Sequence, residues 1–141
     1  MIVLDREFAQ EINLHAEASY PDECCGILLG ILGEEKEKIV KKLLNIDNAR
    51  DEANRHNRFL ITPADFAKAS FAAIKEGLEI VGFYHSHPDH PSAPSQYDLE
   101  HAWPFYSYII VSVKKGQADI ISSWELENDR TKFNAEAIKG A

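Results

Sequence analysis

The apolar positions of this chain alternate between helical and strand spacing. Ile2, Val3 and Leu4 predict a short first strand. Over residues 5–19, Phe8, Ile12, His15 and Ser19 fall on one helical stripe with Ala9 and Ala16 beside it, and Pro21 marks a chain that has left the helix. Residues 24–32 are then a continuous apolar run of strand length with little alternation, which places a strand buried on both faces near the middle of a sheet. After the turn at 33–36, Ile39, Val40, Leu43 and Leu44 make 38–45 a more exposed strand with its basic residues toward water.

From 47 to 58 the period disappears. This polar dozen predicts a long loop, a length that in compact domains often carries function. A short strand is expected at 59–61. Thr62, Pro63 and Asp65 then read as cap, first position and third position of a helix reaching about Glu76, with Gly77 to stop it. Phe66, Ala69, Ala73 and either Ile74 or Leu78 supply its core face. The strand at 78–84 runs directly into His85, and the Pro-rich stretch 88–94 cannot continue a sheet. Ser95 caps a short helix that carries Asp98 in its first turn and ends before Pro104. Strands at 106–113 and 118–126, joined by Lys114-Lys115-Gly116-Gln117, form a hairpin, and 127–141 reads as a polar tail. Strands and helices mixed in this way predict a single α/β (α+β) domain, a central mixed β-sheet flanked by helices.

Composition narrows the class of partner. The 141 residues carry 15 Lys and Arg against 23 Asp and Glu, a net charge of -8, which argues against an electrostatic grip on nucleic acid or an anionic membrane. No apolar run approaches the roughly 20 residues that span a bilayer, and the first residues lack the basic start and apolar core of a signal peptide. The two cysteines, Cys24 and Cys25, are adjacent, a poor geometry for a disulfide, and their plain reading is as small buried residues at the start of a strand. Together these features predict a soluble, cytoplasmic protein.

The chemistry concentrates in residues 82–98. His85 and His87 sit two apart at the end of a strand, so alternation turns both imidazoles to the same side, where they can meet one metal ion. Asp98 would close the set. Two histidines and a carboxylate leave a fourth position open, the pattern of catalytic rather than structural zinc. The helix dipole at its N-terminus favours the ionised form of Asp98. The plain alternatives are surface or capping histidines and a Ser95-x-x-Asp98 helix cap that needs no metal; both readings of Ser95 can hold at once. His15, His56, His90 and His101 show no ligand spacing and read as surface or packing residues, with outer support from His101, one turn after Asp98, left open.

These residues form a known pattern. His85-Ser86-His87-Pro88 followed by Ser95-x-x-Asp98, with seven residues from Pro88 to Pro94 between His87 and Ser95, resembles the JAMM motif of the MPN+ metalloproteases. The segment Glu23-Cys24-Cys25-Gly26 and its apolar continuation resemble the family's acid-bearing strand, and the layout is similar to its short stand-alone prokaryotic members over residues 1–126, with 127–141 outside. The resemblance implies an MPN/JAMM-like, cytidine-deaminase-like architecture with Zn2+ held by His85, His87 and Asp98. It also implies that Glu23 holds and deprotonates a water at the fourth position, and that Ser95 assists by hydrogen bonding. Without the resemblance, Glu23 reads as one charged residue ahead of a strand.

The same resemblance implies hydrolysis of a peptide or isopeptide bond at the C-terminal tail of a ubiquitin-like or sulfur-carrier protein ending in Gly-Gly, with loops 47–58 and 88–94 as walls of the groove. It leaves oligomeric state open. Two rivals are a non-catalytic MPN-type scaffold that binds a ubiquitin-like partner, against which the intact ligand set argues, and a zinc deaminase. The latter is disfavoured because the chain lacks the Pro-Cys-x-x-Cys and His-x-Glu elements of those enzymes.

Overall fold

The apolar run takes the middle of an eight-stranded sheet. In the computed structural model, which describes residues 1–55 and 58–141, the chain runs β1 (Ile2–Val3), α1 (Arg6–Ser19), β2 (Cys25–Leu32), β3 (Lys38–Ile46), a 3-10 turn (Glu52–Asn54) and α2 (Pro63–Lys75). It continues through β4 (Glu79–Pro88), α3 (Gln96–His101), β5 (Ser107–Lys114), β6 (Gln117–Leu126), β7 (Phe133–Glu136) and β8 (Ile138–Lys139). The strand order is β7-β6-β5-β4-β2-β3-β1-β8. Strand β2 pairs antiparallel with β3 and β4, and β4 pairs parallel with β5, so the sheet is mixed as the sequence predicts.

Alternation along β2 explains its lack of polar residues. Leu28 faces α1 with Ile12, Ala16, Val81, Tyr84, Ile109 and Val111. Its neighbours Ile27 and Leu29 face the other way, into a second core with Ala69 and Ala73 of α2, Phe83 and Tyr108. Two layers of helix on one sheet thus require apolar side chains on both faces of the central strand. Where β4 meets β5, Gly82 is required by proximity: a Cβ there would strike the Ser107 carbonyl. Thr62 accepts the Asp65 N–H at 3.1 Å as the cap of α2, and Gly77 ends that helix region at φ +69°.

Several sequence expectations are corrected. Residues 59–61 do not form a strand, because no neighbouring strand pairs with them; the Leu60 N–H is instead held by the Asn48 side chain. Lys38 does not face water. It is buried, with its amine donating to Ser107 Oγ at 3.0 Å and lying 2.8 Å from Glu125. On α2, Ala69 and Ala73 pack inward while Ile74 is 73% exposed and Phe66 stands at the margin. His56 falls outside the described residues.

Residues 127–141 also hold more structure than a polar composition signals. Strand β7 pairs with β6 at one edge of the sheet and β8 pairs parallel with β1 at the other, with Ala137 alone between them. One extended segment therefore joins the two edges. Ile2 N–H donates to Ala137 O at 3.0 Å and Leu4 N–H to Lys139 O at 2.9 Å. Glu136 accepts from the hydroxyls of both Ser107 and Ser123, which ties this segment to β5 and β6 beside the Lys38–Glu125 pair.

Candidate active site

The end of β4 carries His85 and His87, and pairing with β5 continues through both, so their backbones are fixed by the sheet. Their Nε2 atoms lie 3.1 Å apart. Asp98 reaches the pair from the first turn of α3, with Oδ1 3.2 Å from His85 Nε2 and Oδ2 3.1 Å from His87 Nε2. A capping box sets that carboxylate in place: Ser95 Oγ accepts the Asp98 N–H, and the Ser95 N–H donates to Asp98 Oδ2 at 2.9 Å. The cap and the cluster are one arrangement.

Glu23 completes the group from the start of β2. The register places Cys25 opposite His85, so the residues just before β2 run alongside the histidines. Glu23, His85 and His87 each offer one ligand atom within 4.8 Å of the others, and all are buried. The backbone around Glu23 is pinned on three sides. Its N–H donates to Arg55 O at 2.6 Å, its carbonyl accepts from Asn48, and the next amide, Cys24 N–H, donates to Ser86 Oγ at 2.8 Å.

The donor set fits a cation. His87 Nδ1 lies 2.8 Å from Pro91 O, and a carbonyl only accepts, so Nδ1 holds the proton and Nε2 presents a lone pair. That lone pair faces a carboxylate oxygen and a second imidazole nitrogen within a buried site. Two imidazole nitrogens and a carboxylate converging in this way are a donor set that a zinc ion would fit, and the Pro91 carbonyl is the outer hydrogen bond that holds His87 in the tautomer such binding needs.

A family model described as "Prokaryotic homologs of the JAB domain" matches residues 5–127. The chain belongs to this prokaryotic JAB-domain family. Among curated relatives, a desampylase of Pyrococcus furiosus is 32% identical over 86% of this chain and 81% of its own length. A desampylase of Haloferax volcanii is 33% identical over 65% of the chain and 63% of the relative, so somewhat less than two thirds of that protein is spanned. A solved Salinibacter ruber protein is 38% identical, with a TM-score of 0.78 over all of this chain and 92% of its own. A JAB1/MPN domain protein of Archaeoglobus fulgidus shares the fold, with a TM-score of 0.61 over 99% and 97% of the two chains at 19% identity. The JAMM/MPN resemblance drawn from the motif thus agrees with family and fold alike.

Electrostatics divide the acids of the JAB site. Burial, with the nearby Asp98 charge, pushes the Glu23 carboxyl up to about 9. Burial would raise Asp98 too, but His85 and the Ser95 N–H overcome it and hold that carboxyl well below the usual range. His85 is pushed down by desolvation and by His87 against the pull of Asp98, so it is neutral and Asp98 ionised. Burial raises both thiols, Cys24 to about 11, which keeps them protonated and matches their reading as packing residues.

Apart from the Ser95 cap, sequence reasoning missed the residues that hold the histidines and Asp98 in place. Phe59 stacks on the His85 ring at 4.5 Å between centroids, and Tyr97 bonds to Phe59 O and to Arg50, linking the 47–58 loop to α3. Only Ser86 had a visible signal, as the middle of His-Ser-His. Of loop 47–58, Asp47, Asn48 and Arg55 line a polar cavity of about 390 Å³ with Glu23, whereas in loop 88–94 Pro91 holds His87. His101 stacks on Tyr97 and borders the small cavity at His85 and Asp98. His15 bonds to the buried Tyr84 hydroxyl, and His90 is exposed.

Proposed function

We propose that this JAB domain hydrolyses a peptide or isopeptide bond at the C-terminal tail of a ubiquitin-like or sulfur-carrier protein, with His85, His87 and Asp98 holding zinc and Glu23 moving the proton. The observation that carries this reading is the buried convergence of His85 Nε2, His87 Nε2 and the Asp98 carboxylate beside Glu23. The two relatives named desampylase support the substrate class. Zinc in this position would polarise the scissile carbonyl and lower the pKa of water toward about 7.

The chain's own residues would do the rest. Burial raises the proton affinity of Glu23, and in its ionised form its carboxylate would take a proton from the attacking water and deliver it to the departing amine nitrogen. Ser95 Oγ spends an acceptor lone pair on the Asp98 N–H, so its own O–H remains available to donate to oxygen as negative charge develops there. Phe59 against His85 excludes water from that side of the pair. Beyond Ile39, β3 has a strand neighbour, β2, on one side only among the described residues, and this edge ends beside Glu23 where an extended tail could add as a strand.

The test is a small carrier extended beyond its Gly-Gly end, incubated with the protein and read by mass spectrometry with and without a chelator. Wild-type protein should release the extension, chelator should stop it, and Glu23→Gln should abolish it while zinc content is unchanged. Full activity in Glu23→Gln sinks the proposed base, and purified protein that binds no zinc sinks the metalloenzyme reading.

A further inference from the structure

Beside the His85–Asp98 cluster lies an aromatic trough of about 700 Å³, walled by Phe59, Pro63, Phe66, Trp103, Phe105 and Tyr106 among others. Phe59 and Tyr97 line both this trough and the small cavity that holds His85 and Asp98. Whatever fills the trough therefore borders the cavity at His85 and Asp98, a position that suits a segment of the substrate better than an independent partner. Trp103, Phe105 and Phe66 are 63%, 48% and 37% exposed, so these walls stand open to receive it.

Charge specifies the occupant further. No carboxylate is found among the described residues that line the trough. Guanidinium groups stand over two of its lining rings, Arg50 and Arg58 at 5.3 and 5.5 Å from the Tyr97 ring centre and Arg130 at 4.8 Å from that of Trp103. Lys38, 5.5 Å from Phe105, is already committed to Glu125. Among the described residues none of the three arginines has a carboxylate partner, and Arg50 Nε is buried with no acceptor. In a chain of net charge -8, a basic rim on the principal apolar surface runs against the average and fits an acidic ligand.

We infer that the trough binds a segment of the ubiquitin-like substrate in which apolar side chains are flanked by carboxylates, and that this segment determines which carrier is accepted. The inference rests on the proposed hydrolase reading for the identity of the substrate. The apolar side chains fill the space between Phe66 and Trp103, and the carboxylates meet Arg50 or Arg58 beside Tyr97 and Arg130 beside Trp103.

Trp103 supplies its own reporter, since Trp124 is the other tryptophan of the chain. In a zinc-loaded Trp124→Phe protein, Trp103 fluorescence is titrated with three synthetic peptides: Asp-Leu-Phe-Asp-Gly-Gly, Lys-Leu-Phe-Lys-Gly-Gly and Asp-Ser-Ser-Asp-Gly-Gly. The first should bind roughly ten- to hundredfold more tightly than the third, as loss of buried apolar side chains dictates. It should also bind more tightly than the second, by a margin that shrinks as salt is added. Phe66→Ala and the exposed Arg130→Glu should each weaken the first peptide and raise KM for an acidic carrier with kcat little changed. Equal affinity for the three peptides, or preference for the lysine peptide, overturns the inference. The readout needs no turnover: failure here with carrier hydrolysis intact removes only the docking surface, whereas the expected binding without any hydrolysis removes only the hydrolase reading.

Discussion

Replacing Ser86 by Ala takes away a single oxygen, and the structure states what depends on it. Ser86 is fully buried; its hydroxyl accepts the Cys24 N–H at 2.8 Å and its own N–H donates to Cys24 O at 3.2 Å. Cys24 lies just outside β2, where a regular ladder would have offered its amide a carbonyl of β4; the side chain takes that place. In Ser86→Ala the amide stays buried without an acceptor, a cost of about 1–3 kcal/mol. For a domain of this size that lowers the melting midpoint of the metal-free protein by about 3–10 °C. The same amide directly follows Glu23, so its release loosens the carboxylate, and a misplacement of about 1 Å can cost on the order of a hundredfold in rate. We expect kcat for carrier cleavage to fall about 10- to 100-fold, with zinc content and KM little changed. Thermal melts, metal analysis and steady-state hydrolysis read the three quantities, and Ser86→Cys, of similar shape but a weaker acceptor, should fall between. An Ala variant with unchanged melting and kcat refutes the reasoning. Loss of zinc together with activity would assign the hydroxyl to the ligand strand instead of to Glu23.

Other substitutions probe the same framework. In the metal-free protein Glu23 is raised from 4.5 to about 9, so its stabilising contribution is complete below pH 4.5 and is lost as pH rises through about 9. Glu23→Gln should therefore gain on wild type with rising pH, by at most about 1.4 kcal/mol per pH unit, and a pH-independent difference in denaturation free energy would contradict this. Lys38→Met strips the amine from Glu125 and Ser107 and should destabilise by about 1–3 kcal/mol, because the 42% exposed Glu125 stays solvated; adding Glu125→Gln should restore part of it, and strict additivity in the double variant would show that the two side chains are not coupled. Gly82→Ala should cost more than ordinary surface changes because its Cβ meets backbone at Ser107, which cannot swing aside; a variant melting with wild type would mean that β4 and β5 separate easily.

How far the sequence could be read depended on what kind of force set each feature. The double burial of β2, the caps at Thr62 and Ser95 and the β5–β6 hairpin follow from local pattern, and local pattern is visible in one dimension. His85, His87 and Asp98 stood out through spacing along a strand and at a helix start. Glu23 did not, because its nearness to the histidines comes from the antiparallel register of β2 and β4, a contact between distant segments. The same limit hid the inward turn of Lys38, whose partners come from β5 and β6, and the stacking of Phe59 on His85, since an apolar triplet at 59–61 looks like any short strand. Strands β7 and β8 escaped notice because two to four residues with one or two apolar side chains carry no readable period.

The segment that joins the sheet's two edges also bears on the order in which the chain assembles. Glu23, the histidines and Asp98 all lie in segments that are complete before residue 102, and the polar contacts among them involve no residue of β7 or β8. Closure, in contrast, pairs Ile2 with Ile138, partners near opposite ends of these 141 residues. Pairings so distant in sequence form late, because the entropy of closing the intervening loop has to be met before they contribute. During synthesis the ligand-bearing half can therefore gather while β1 waits, unpaired at its outer edge, for a strand that the ribosome has yet to make.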